Sequence, residues 1–414
     1  MAPDRDMSIG QRMAHYRRWR GLTQQALAMR LNLSTSWVAK VERGERSIDS
    51  ITMLMHVARA LGVELQMLTG RPLFPEPTGQ DGAEREGVVL DVRRVLMHYD
   101  KIHGITPAQS SAPPRPVAEL RREARAARRI YDTSANNFSA VVYVLVELIG
   151  QTQHAAREAS GDQRRAAYVV LADLYRLTAM EMRQYGDFDL AWMAADRGLL
   201  AAEQSEDRLL IGACAGTLIH QIIALGRLKQ AIELAMDTAT LLKPGSKNAT
   251  PAHLSVWGAL HLYSALAAAR ALDRGECRRL LDVAMLTADQ VGADRNDYAT
   301  FFGPTNVGIQ ETGILVDLED PKAALRRAES VAAERLPSVN RRCYHHLHLA
   351  RAFGLRRRDP DAVRELLAAE AIGPEIVRWD PTCHELVRSM LRRERRRTSP
   401  ELRGLAQRLR VLVA

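Results

Sequence analysis

Between residues 185 and 368 the chain keeps returning to one pattern: a tight turn, then a helix that opens with a pair of residues four apart. The turns are YGDFD at 185–189, LGRLK at 225–229, DRGE at 273–276, LEDP at 318–321 and RRDP at 357–360. The pairs that follow are Ala191/Ala195, Ala231/Ala235, Leu280/Ala284, Ala324/Ala328 and Arg364/Ala368, with first members 40, 49, 44 and 40 residues apart. A four-residue interval puts two side chains on one helix face, and small ones there let a second helix approach closely. A helical hairpin of this kind cannot bury both faces alone. It has to stack on copies of itself. From Val117 onward everything reads as helix, with single glycines and prolines as punctuation. The segments near 117–131 and 134–157 are expected to cap one end of the stack, and the helices at 381–396 and 400–412 the other.

This pattern resembles the tetratricopeptide (TPR) repeat, with spacings longer than that repeat's usual period. The resemblance implies a curved α-solenoid whose first helices line a concave groove suited to an extended peptide or a small effector. Phe301-Phe302-Gly303-Pro304-Thr305-Asn306 opens the first helix of the fourth hairpin, so Phe302, Thr305 and Asn306, with Gln310 one turn on, are candidate effector contacts. Tyr263, His220 and Arg342 join that set. Core positions for Phe301 and Phe302 and a capping role for Asn306 are the competing readings. His345 and His348 share a helical face, but a zinc site needs further ligands that no cluster supplies, so no metal is assigned. Nine arginines between 388 and 410 read as a solvated terminal helix or as a second nucleic-acid contact.

Before the array, Pro72, Pro75, Pro77, Pro107, Pro113, Pro114 and Pro116 bracket one helical segment near 84–99. That makes residues 71–116 a linker. Its helix could dock on either side of it or on a partner subunit.

The first seventy residues have another character. Ile9, Met13 and Tyr16 give residues 8–20 one apolar face. Thr23 can cap a second helix carrying Ala26, Leu27 and Leu31, and the chain reverses at Asn32. Ser34 can cap a third helix, with Trp37, Val38 and Val41 on one face and Thr35, Ser36 and Lys40 on the other. Asp49 or Ser50 caps a fourth, with Ile51, Leu54, Val57, Ala58 and Leu61 inward and Gly62 as its stop. A fifth, Glu64 to Leu68, follows. From Met1 to Arg71 there are eleven Lys/Arg against six Asp/Glu, a formal +5. A short helix that begins with hydroxyl side chains and is backed by basic residues suits the major groove of DNA.

These motifs resemble the Xre-type (lambda-repressor-like) helix-turn-helix domain. The likeness rests on Leu22-Thr23-Gln24, the S-x-x-W-V-A-K-V-E-R-G block at 34–44 and the A-x-A-L-G-V block at 58–63, and it covers residues 8–68. Asn32 stands where glycine is commoner. The resemblance implies Gln24 on a phosphate, Thr35, Ser36 and Lys40 near base edges, and Arg43 and Arg46 on the backbone. Ser34 and Trp37 complete the DNA-facing set, with Trp37 divided between core packing and a phosphate-side contact.

Composition bounds the rest. At 414 residues with 46% apolar content, the chain can hold two or three packed units. A net charge of +9 suits a polyanionic partner. Cys214, Cys277, Cys343 and Cys383 lie far apart without C-x-x-C spacing, as expected of buried thiols in a reducing compartment. The longest apolar run, 138–149, contains Glu147 and is too short to span a bilayer. The N-terminus lacks a signal peptide pattern. No phosphate loop, nucleophile elbow or H-E-x-x-H is present, so neither catalysis nor a cofactor is expected.

The expectation is therefore an all-α, cytoplasmic transcriptional regulator with three parts. Residues 1–70 form the DNA-binding head, 71–116 the linker, and 117–414 a TPR-like sensor and dimerisation domain. Its partners would be double-stranded operator DNA, a second copy of the chain and an effector, with no membrane association. The alternative is a TPR-type interaction scaffold whose head does not bind DNA specifically.

Overall fold

The computed structural model describes residues 7–31, 33–46, 48, 51–69, 80–97, 113–245, 249–393 and 399–411. Every regular element among them is helical. The head consists of α1 (Ile9–Trp19), α2 (Gln24–Leu31), α3 (Thr35–Glu42), α4 (Ile51–Leu61) and α5 (Leu65–Thr69). Ser8 starts α1 with a reciprocal capping box to Gln11. The Thr23 hydroxyl accepts from the Ala26 amide at 3.0 Å, and the Ser34 hydroxyl accepts from the Trp37 amide at 3.1 Å. Met13, Tyr16, Leu27, Leu31, Val38, Val41, Leu54, Val57 and Leu61 make one buried core, as their spacing predicts. Gly10 lets α1 touch α3: a Cβ there would run into the Val41 carbonyl oxygen. The expected roles of Asn32, Asp49 and Ser50 fall outside the described residues.

The linker helix, α6, runs Gln80–Met97. The sequence left its docking partner open; Val88, Val92 and Leu96 are buried in the array's core, against α8 and α10. Here α7 is Val117–Thr133, α8 is Val142–Glu158, and α9/α10 (Gly161–Tyr185, Phe188–Ser205) form the first hairpin. Four more hairpins follow: α11/α12 (Arg208–Ala224, Leu228–Leu241), α13/α14 (Pro251–Arg270, Arg274–Val291), α15/α16 (Pro304–Asp317, Pro321–Ala328) and α17/α18 (Val339–Leu355, Asp359–Ile372). The array ends in α19 (Pro374–Trp379), α20 (Pro381–Arg393) and α21 (Pro400–Arg408).

All five hairpins turn in one way. The residue just before the second helix's N-cap is left-handed: Gly186 (φ 81°), Gly226 (73°), Leu272 (59°), Glu319 (58°) and Arg357 (55°). Asp187, Asp273 and Asp320 then cap the next helix with their carboxylates. Ala191, Ala195, Ala231, Ala235, Leu280, Ala284, Ala324 and Ala328 are all buried, as expected. The fifth pair is corrected. Arg364 is exposed, and the buried face of α18 is Ala362, Leu366 and Ala369, because the helix starts two residues further round than the pattern suggested.

First helices pack on first helices in series, α9 on α11, then α13, α15 and α17, whereas each second helix leans on the first helix of the next hairpin. That arrangement makes the first helices the inner layer. The two ends of the array also meet through the helices that flank the hairpins: α17 touches α7, and α19 touches α9. The Glu375 carboxylate accepts from the Phe138 and Ser139 amides (2.9 and 3.3 Å), and Tyr185 stacks on Trp379 with ring centroids 6.3 Å apart.

Candidate DNA-binding face and sensor interior

On α3 the division predicted from the sequence is what folds. Thr35, Ser36 and Lys40 are exposed, as is the capping Ser34, while Val38 and Val41 are buried. Trp37 is 7% exposed and belongs to the head core, which decides its divided reading in favour of packing. The Arg46 guanidinium lies 5.8 Å from the centroid of the Trp37 ring, so this rim arginine is steered by a core residue. Arg43 makes a surface pair with Glu45 at 2.6 Å.

The frame behind the face is an ion pair. Arg17 of α1 grips Glu42 at the end of α3 through two bonds, 2.6 and 2.9 Å. The Gln24 amide of α2 donates to the same carboxylate at 2.8 Å. Burial alone would raise the Glu42 carboxyl, but the bonds from Arg17 and Gln24 hold it below the usual range. Gln24, half-buried, thus spends its NH₂ group on bracing α3 and leaves its carbonyl oxygen for other partners.

The back of the head meets the array. His56 of α4 lies 2.8 Å from the Arg270 carbonyl oxygen, Arg59 rests against Gly226, and Leu272 packs on the head core. These contacts leave α3 clear.

The effector set divides. Phe302 is fully buried, its ring filling the space above Gly258, where a Cβ would collide with it. It is therefore a core residue and not a ligand contact. Thr305 donates its amide to Asp294 at 3.0 Å and is half-buried. Asn306 does not cap α15, since Gly303 holds that position. Its side chain is 2% exposed, and its Oδ1 has no hydrogen-bond partner. Gln310 is half-buried. His220 and Tyr263 do meet, with ring centroids 4.4 Å apart, and the Tyr263 ring lies over Gly216. Burial, together with the charges of Arg183, Arg341 and Arg270, pushes His220 down to about 3, so it is neutral. Arg342 is half-buried with an unpartnered Nε, and the α17 arginine whose charge reaches His220 and Tyr263 is its neighbour Arg341.

Several inner residues had no signal in the sequence. Arg176 of α9, 4% exposed, donates to Thr217 of α11 (3.2 Å) and to the Tyr298 carbonyl (2.8 Å). Glu181 is fully buried with neither oxygen bonded, and burial pushes its carboxyl well up. Asp317 is sandwiched between Arg270 (3.2 Å) and Arg351 (2.5 Å). Helices buried on both faces lose their amphipathic pattern, so these positions cannot be phased from the sequence.

His345 is buried, His346 contacts Glu365 at 2.8 Å, and among the described residues no three His, Cys, Asp or Glu side chains could hold a metal ion. All four cysteines are free and buried; burial pushes Cys214 up to about 12 and Cys277 to about 11. Arg388 and Arg392 pair with Glu385, Arg393 with Asp359 and Arg408 with Glu370. The first two pairs lie within α20, while Arg393 and Arg408 tie α20 and α21 to α18. No helix of the described residues is long and apolar enough to cross a membrane.

A family profile described as "Helix-turn-helix domain" matches residues 8–69. The immunity repressor protein of Bacillus phage phi105 is 30% identical over 102 residues, which is 24% of this chain and 70% of the repressor. The crystal structure of Bacillus thuringiensis PlcR in complex with the peptide PapR7 and DNA superposes with a TM-score of 0.34 and 13% identity, covering 88% of this chain and 98% of that one. With its reading helix exposed on a braced five-helix head and its helical hairpins stacked behind, the chain belongs to the Xre-like helix-turn-helix regulators.

Proposed function

We propose that the chain is a sequence-specific transcriptional regulator that acts in the cytoplasm as a homodimer and has no catalytic role. Residues 1–70 read DNA, 71–116 link, with α6 riding on the array, and 117–414 sense an effector and dimerise. The observation that carries this reading is α3: three polar side chains, Thr35, Ser36 and Lys40, stand exposed in a row on a helix braced from behind. Thr35, Ser36 and Lys40 approach base edges, Lys40 favouring guanine. Ser34, Arg43, Arg46 and the free carbonyl side of Gln24 border them along the phosphate path. Two such helices in a dimer would meet successive major grooves.

The effector is a peptide or a small signal entering the inner layer. Asn306, Gln310, Tyr263, His220, Thr305 and Arg342 face it, with the charge of Arg341 beside them. An effector that binds one arrangement of the inner helices better than another shifts the heads by that difference in affinity.

The test is selection of bound sequences from a random DNA pool, followed by titration of the winner. Lys40→Ala and Thr35→Ala should each cost about 1–3 kcal/mol of specific binding with the far-UV spectrum unchanged. Affinity equal to wild type in both variants would sink the assignment.

A further inference from the structure

A cavity of about 470 Å³ opens between α7, α9 and the segment joining α14 to α15. Its floor is apolar: Val169, Val170, Leu174, Leu177 and Leu210. One wall is a ladder of arginines on α7, Arg121, Arg125 and Arg128, which the helical repeat puts on one face. The other wall is the joining segment itself, with Asn296, Asp297, Tyr298 and Ala299.

The charges do not balance. Each acidic residue in the lining already has its own cation: Asp297 is paired with Arg295 at 2.6 Å and Asp173 with Arg176 at 3.5 Å. Among the described residues, none of the three ladder arginines forms an ion pair. Arg128 bonds the Met180 sulfur at 3.7 Å and lies 5.9 Å from the Tyr131 ring, and its charge reaches the buried carboxyls of Asp132 and Glu181, behind the lining, without forming an ion pair with either. Arg121 Nε and Arg128 Nη2 are buried with no acceptor. A buried donor left unsatisfied costs about 1–3 kcal/mol, and more when it is charged. The outer wall carries strain too. Tyr298, Ala299 and Phe301 are non-glycine residues at φ 50°, 54° and 50°. Their segment is pinned from three sides: Arg176 on the Tyr298 carbonyl, the Tyr298 hydroxyl on Asp207 (3.0 Å), and Asn296 on Asp132 (3.4 Å).

We propose that this cavity binds a small amphipathic organic anion, its carboxylate or phosphate head on Arg121, Arg125 and Arg128 and its short apolar body on the Val169–Leu210 floor. Guanidinium forks match both head groups bidentately, and the volume is that of a small-molecule site. The inference deepens the sensor reading and rests on it for its consequence, a change in operator binding. Occupancy by itself needs only the array.

The test uses the full-length chain, calorimetric titration and matched probes sharing one alkyl body: octanoate, octyl phosphate, octanol and octyltrimethylammonium, with inorganic phosphate as the bare head. Octanoate or octyl phosphate should bind saturably at one site and raise the melting temperature, and which of them binds tighter identifies the head group. Octanol, the ammonium and inorganic phosphate should bind at least about tenfold more weakly, the equivalent of 1.4 kcal/mol. Arg125→Gln, at an exposed position, and Arg128→Gln should each weaken anion binding about tenfold while leaving operator affinity in the absence of anion unchanged. Octanol binding as tightly as octanoate, or octanoate binding undiminished in both variants, overturns the site. Loss of operator binding without any anion would instead count against the head assignment, so the two failures are distinguishable.

Discussion

Arg17, Gln24 and Glu42 come from three helices and meet at one carboxylate, and the angle at which α3 is presented depends on that meeting. Glu42→Gln would leave the largely buried Arg17 without its counter-charge. Breaking such a pair from one side costs about 3–5 kcal/mol, so the variant should melt earlier and bind operator more weakly although it touches no DNA. Thermal denaturation and gel shift would check both effects. The carboxyl of Glu42 is held below its ordinary value of 4.5. Its contribution is therefore complete above that value and is lost as pH falls through the lower folded one. At this scale the caps and the polar row of α3 were legible, because short-range spacing fixes them. Phe302 was not: an aromatic residue ahead of a helix looks the same whether it faces a ligand or fills the gap over a glycine such as Gly258.

At the scale of elements, the hairpins were found from the small pairs, while the structural constant is the left-handed residue before each second helix. Glycine holds that place in the first two turns; Leu272, Glu319 and Arg357 hold it in the others at some conformational cost. Arg357→Gly should therefore stabilise the array slightly, by up to about 1 kcal/mol, whereas Gly258→Ala should destabilise it by about 1–3 kcal/mol by forcing Phe302 out of place. Urea denaturation of the two variants would show opposite signs; equal or reversed shifts would contradict the geometry. The fifth hairpin shows why the pairs alone were insufficient. RRDP was recognised as a turn, but without a glycine or a capping aspartate to set the phase, the buried face was placed two residues late. The joining segment 292–303 was invisible to periodicity, being neither helix nor simple loop.

For the whole molecule, the all-α two-part plan could be read from the chain, but neither the seat of α6 nor the meeting of first and last repeats could, since contacts between distant segments leave no local pattern. The enclosed interior explains the histidines. Burial is the first cause that lowers His220 and His348 to about 3 and His345 to about 4. At these three rings the fold then holds fewer protons than the unfolded chain between those values and 6.5, and they outnumber the raised carboxyls of Glu181 and Asp132, which act in the opposite sense. Stability accordingly rises with pH across that window and is lost as pH falls below 6.5. Urea midpoints should drop steadily on going from about pH 7 to about pH 5, with a shallower slope in His220→Gln; a flat profile would show these rings to be charged in the fold.

An open row of repeats unravels like a zipper, one unit at a time from whichever end lets go. Here Glu375 clasps the 138–139 amides and Trp379 lies on Tyr185, so the row behaves like a barrel inside its hoop. Between the clasped ends no stave is an outermost one, and only α20 and α21, which lie past the clasp, remain to peel away first.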